Sequence, residues 1–172
     1  MEEPMNWTSK ALTAAIAAAA VSAPGWACPP AKIVKDTDRL TLTDASGAEF
    51  EARITDAQIE CTRSGGAMKA TVRFKLTTAS GAPVRTEVPY FVAVAYTGDG
   101  AATFVSKDIK THAVATAGGH AEVSADMVHE GVAIPINGQV LSREFQVLVG
   151  FQLSKEQLAK VRKDKSWFGW MF

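Results

Sequence analysis

The stretch Met68-Lys69-Ala70-Thr71-Val72-Arg73-Phe74-Lys75-Leu76 sets an apolar side chain at every even position and a polar or charged one at each odd position between them. That period of two is the signature of a β-strand with one face in a core and one in water. A parallel sheet covered by helices would need near-continuous apolar strands instead. The neighbouring segments read the same way. Arg39 to Thr43 alternates Leu40 and Leu42 with polar residues. From Phe50 to Thr62 the apolar parity switches at Thr55-Asp56: Phe50, Ala52 and Ile54 precede it, Ala57, Ile59 and Cys61 follow. A bulge that re-aims the strand explains such a switch. Ser64-Gly65-Gly66 reads as a turn and Ser80-Gly81-Ala82-Pro83 as a break.

Further along, Tyr90 to Tyr96 is almost wholly apolar, as expected of a central strand buried on both faces. Thr97-Gly98-Asp99-Gly100 turns the chain. Two strands, about Thr103 to Thr116 and Ala121 to Ile134, flank Gly118-Gly119. Gln139 to Leu153 closes the set with Phe145, Val147, Val149, Phe151 and Leu153 on one side. Seven or eight strands at this spacing predict an all-β fold, an antiparallel immunoglobulin-like β-sandwich, with a small barrel as the next architecture. Beyond Leu153 the pattern changes. Ser154 and Gln157 form a capping box that starts a short basic helix over Lys155 to Lys165.

The chain has 172 residues, 47% of them apolar, with 18 basic groups against 18 acidic. This balance speaks against a nucleic-acid binder that relies on neutralising phosphates, and against a disordered chain. The first 27 residues differ from the rest. Lys10 precedes a run from Ala11 to Ala23 broken only by Thr13 and Ser22, and Pro24, Gly25 and the small Ala27 follow. This is the layout of a secretory signal peptide, and the run is too short to span a bilayer. Glu2 and Glu3 do not suit a positive flank, so translation is read as starting at Met5. The expected organisation is a signal peptide over 1–27, a β-sandwich over 28–154, and a basic helix with an aromatic tail over 155–172.

Cleavage after Ala27 leaves Cys28 as the first mature residue, and Cys61 is the other cysteine. Two readings follow. In an exported chain an even cysteine count suggests a disulfide, Cys28 to Cys61. Chain entropy sets its contribution at ~3.7 kcal/mol for a loop of this length. Alternatively Cys28 carries the lipid of a bacterial lipoprotein, for which Gly25 and Trp26 are a poor match.

Several stretches together have a familiar combination: the signal peptide, Cys28-Pro29-Pro30, Ile54-Thr55-Asp56-Ala57 leading to Glu60-Cys61, Tyr90-Phe91-Val92-Ala93-Val94, and Val149-Gly150-Phe151-Gln152-Leu153-Ser154-Lys155-Glu156-Gln157-Leu158. The chain resembles a family of small envelope proteins from alphaproteobacteria, many of them lipoproteins, over most of the mature sequence. Members place a lipid-modified cysteine upstream of a separate Cys-Pro pair. This chain keeps Cys28-Pro29 and lacks the upstream cysteine, so the resemblance implies a Cys28–Cys61 bridge and an unlipidated product. The family has no established activity, so the resemblance supplies location and not mechanism.

Candidate chemistry is sparse. His112, His120 and His129 lie near Glu122, Asp126 and Glu130. If Gly118-Gly119 is a two-residue hairpin loop, His112 faces Ala125 and His129 faces Asp108. His120 then shares a face with Glu122 alone, too few ligands for a selective metal. A His129–Asp108 cross-strand pair is the expected reading of the others. No Gly-x-Ser-x-Gly elbow is present, and Gly65-Gly66 and Gly98-Asp99-Gly100 precede strands instead of helix N-termini. No cofactor or small-molecule substrate is identified. The strongest feature is the tail: Lys160, Arg162, Lys163 and Lys165 lead to Trp167, Phe168, Trp170 and Phe172. Aromatic residues beside cations suit a membrane-interface anchor or a docking tail. The competing structural role is a cover over the open end of the sandwich. Phe168, Trp170 and Phe172 also alternate like the last strand of an outer-membrane barrel, which the charged run before them speaks against. The expectation is an exported, periplasmic, non-catalytic binding or accessory module whose partner is an envelope protein or membrane surface. Its rival is a periplasmic enzyme or metal-binding protein using His120 and Glu122.

Overall fold

A computed structural model describes residues 27–44, 46–64, 66–136 and 142–168. Among these residues, eight strands form two four-stranded sheets, followed by one α-helix. The strands are β1 (Ala31–Ile33), β2 (Arg39–Thr43), β3 (Glu49–Ser64), β4 (Ala67–Ser80), β5 (Val84–Tyr96), β6 (Thr103–Thr116), β7 (Val123–Ile134) and β8 (Phe145–Phe151). Helix α1 spans Lys155–Phe168. One sheet has the order β1-β8-β5-β6 and the other β2-β3-β4-β7. All pairings are antiparallel except the short β1–β8 pair. The expected all-β sandwich is the fold.

Alternation decides which side chains meet between the sheets. Met68, Ala70, Val72, Phe74 and Leu76 of β4 are buried, facing Val88, Tyr90, Val92 and Val94 of β5 and Val147, Val149 and Phe151 of β8. Each fully buried side chain of this size contributes roughly 1.5–3 kcal/mol by removal from water. The bulge falls where the parity switch placed it. Thr55 pairs with Lys75 and Gln58 with Arg73, which sets Asp56 and Ala57 against the single residue Phe74, one residue in excess. Asp56 takes φ 56°, and beyond it Ala57, Ile59 and Cys61 pack against the core. Without the bulge, the second half of β3 would turn its apolar face to water.

Three details depart from the sequence reading. β1 joins its sheet through a parallel pairing of only three residues, Ala31 to Ile33, too short to announce itself as a periodic pattern. The last strand begins at Phe145, after a 3-10 turn over Ser142–Glu144, and residues 139–141 of the expected strand lie outside the described residues. The helix runs on to Phe168 instead of ending near Lys165.

β6 and β7 do not pair with each other. β6 pairs with β5 in one sheet and β7 with β4 in the other, so the Gly118-Gly119 segment carries the chain between sheets. This corrects the hairpin inferred from the two glycines. The connection packs against the β4-to-β5 crossover: Gly119 N donates to Gly81 O at 3.0 Å and His120 N to Ser80 O at 2.9 Å.

Candidate interaction surface

Ahead of β1, Cys28 is bonded to Cys61 of β3, with their Cα atoms 5.6 Å apart. Because β1 belongs to one sheet and β3 to the other, the disulfide links the two layers. Pro29 beside it is buried, and Pro30 O accepts a hydrogen bond from Val147 N at 3.0 Å. With its sulfur engaged, Cys28 has no thiol for a thioether-linked lipid. The signal segment over 1–26 lies outside the described residues.

The histidines separate. His120, in the crossover at φ 59°, lies with its ring 3.2 Å from where a side chain on Gly81 would begin. Glu122 lines a shallow cleft on the far face of β2, β3 and β4 with Arg39, Arg53 and Thr77. Among the described residues, no three His, Cys, Asp or Glu side chains gather in a way that could hold a metal ion. His129 does meet Asp108, as the sequence suggested, but across the gap between the sheets and not along a hairpin. Its Nε2 lies 3.0 Å from Asp108 Oδ2. Lys110 Nζ lies 3.8 Å from the same oxygen.

His129 is 2% exposed, and the Tyr90 ring meets it edge-on at 6.1 Å between centroids. Nε2–H therefore donates to Asp108, and buried Nδ1 has no hydrogen-bond partner. Burial pushes the imidazole's pKa down, Lys110 adds to the effect, and Asp108 opposes it without prevailing. Burial, with the Asp108 charge second, pushes Tyr90 up. The group is a neutral hydrogen-bond donor tying two sheet edges together. Enclosure of Nδ1 keeps a substrate from reaching it as a base.

β6 presents a different surface. Nine successive residues, Thr103 to Thr111, are exposed. Phe104 is 62% exposed, Ile109 51% and Val105 46%. Phe104, Lys107 and Ile109 lie on the outer face, opposite Ala95, Ala93 and Phe91 of β5. Lys107 is drawn back over its own sheet, with Nζ 2.6 Å from Gln152 Oε1 and 4.5 Å from the Phe91 ring centroid. The sequence reading did not single out this surface. Its signal was present in Lys107-Asp108-Ile109-Lys110, which sets charge on both parities, a pattern that fits an edge better than a covered strand.

No protein-family model, curated protein or solved structure matches the chain.

At the C-terminal end the capping box forms as read. Ser154 N donates to Gln157 Oε1 at 2.7 Å and Gln157 N donates to Ser154 Oγ at 3.1 Å. Arg162 approaches Asp36 at 3.8 Å, which draws α1 toward the loop between β1 and β2. Trp167 and Phe168 belong to the last turn of α1. Trp170 and Phe172 lie outside the described residues. No helix among the described residues is long and apolar enough to cross a membrane.

Proposed function

We propose that this chain is an exported, periplasmic sandwich of immunoglobulin-like type that works as a non-catalytic binding or accessory module of the cell envelope. The observation that carries the reading is the Cys28–Cys61 disulfide. Such bonds persist in oxidising compartments and are rare where thioredoxin and glutathione keep thiols reduced. It begins at the residue that cleavage of the expected signal peptide would leave first. The likeness to alphaproteobacterial envelope proteins supports the same location.

Docking to an envelope protein or membrane surface is assigned to Trp167, Phe168, Trp170 and Phe172 with the cations before them, a composition suited to the interface between water and apolar material. The rival use of His120 and Glu122 as a metal or catalytic site has against it that the His120 ring lies against Gly81, within the crossover. Deleting Lys165 to Phe172 and fractionating the cells tests the docking role. The reading expects the truncated protein to leave the envelope fraction for the soluble one. A truncated protein that still co-sediments as before contradicts it.

A further inference from the structure

Sheet edges offer unpaired N–H and C=O groups, and proteins blunt them with short strands, bulges or charge. Three of the four edges here are short or kinked. β1 has three residues and β2 five. β7 is kinked at Glu130-Gly131, where its ladder to β4 skips and Gly131 takes φ 77°. β6 differs: it has 14 residues, and its ladder to β5 is regular from Ser106 to Thr116. The lysine that could guard its outer face, Lys107, is folded back onto Gln152 and Phe91. We propose that β6 is a dimer interface, pairing antiparallel with β6 of a second copy about a two-fold axis through Ile109 and perpendicular to the sheet.

The occupant follows from charge. Such an axis keeps the inner face inner, so opposed residues share parity. Centred on Ile109, the pairing sets Asp108 opposite the partner's Lys110 and Lys110 opposite the partner's Asp108. Ile109 meets the partner's Ile109, Lys107 the partner's Thr111, and Ser106 the partner's His112. Opposite charges in such positions stabilise a pair of strands, and like charges destabilise it. Moving the axis to Asp108 opposes two carboxylates, and moving it to Lys107 or Lys110 opposes two ammonium groups. Of the centres from Lys107 to Lys110, Ile109 alone is free of like-charge contact. Asp108 keeps its bond to His129 throughout, which fixes its carboxylate at the edge.

Light scattering coupled to size exclusion, at tens of micromolar protein, tests the proposal. The wild-type chain should run at twice its own mass. Asp108→Lys and Lys110→Asp should each run at one chain's mass with a wild-type far-UV circular dichroism spectrum, because each sets like charges face to face. Mixing the two variants in equal amounts should restore the doubled mass, since each then supplies the other's missing charge. Lys110→Asp leaves the His129 contact intact and so carries the test alone if Asp108→Lys fails to fold. Wild-type protein at one chain's mass, or Lys110→Asp as dimeric as wild type, would overturn the proposal.

Discussion

His129 is held neutral by its surroundings: Nε2 is committed to Asp108, Nδ1 is buried without a hydrogen-bond partner, and the Lys110 charge acts on the ring. Unfolded, the same imidazole titrates near its usual value of about 6.5. Its folded pKa is depressed, so below that value the unfolded chain binds a proton that the folded chain does not. The stabilisation is complete above about pH 6.5 and declines as pH falls through the folded value, by at most ~1.4 kcal/mol per pH unit. Urea midpoints should therefore drop between about pH 7.5 and about 5.5, and His129→Phe should flatten that slope. An unchanged slope in the variant would assign the pH dependence to other groups. The residue pair itself was legible, since two opposite-natured side chains on adjoining strands invite pairing. Its route was not, because adjacency in sequence says nothing about which sheet each strand joins.

At the scale of elements, the crossovers are the least legible parts of the chain and among the most constrained. Two glycines between two strand patterns have the local chemistry of a hairpin turn. Here non-local pairing wins: β5 and β4 each offer a long free edge, and β6 and β7 take one apiece. The β4-to-β5 and β6-to-β7 crossovers then brace each other through Gly119 N to Gly81 O and His120 N to Ser80 O. A methyl at Gly118 would sit 2.8 Å from the Ala82 carbonyl carbon, at φ 85°. At Gly119, with φ 70°, it would meet nothing within 4 Å. Gly119→Ala should cost only the ~1 kcal/mol of a left-handed alanine, and Gly118→Ala clearly more. Equal losses in thermal unfolding would show that the close approach is not felt. By contrast, the β3 bulge and the α1 cap were readable outright, because each depends on residues within a few positions of one another.

For the whole molecule, the alternation of β4 and its neighbours was enough to specify a two-layer all-β fold, since one solvated face per sheet leaves few other arrangements. The free edge on β6 was harder to see, because exposure follows from which strands find partners and that is settled across the full chain. The Cys28–Cys61 bond closes the structure by linking the layers where β1 alone, with three paired residues, holds weakly. Cys61→Ser should lower unfolding free energy by roughly 3–4 kcal/mol, read as a fall in urea midpoint that reduced wild-type protein reproduces. A variant as stable as the oxidised wild type would remove the bond from the fold's support.

On the proposed reading the polypeptide leaves the cytosol, loses its leader and is oxidised outside it. Intact mass of the protein isolated from a periplasmic extract, measured without reductant, addresses all of this at once. The predicted species begins at Cys28 and is lighter by two hydrogens than its reduced sequence. Recovery from the cytoplasm of the full 172-residue chain with both thiols free would contradict it.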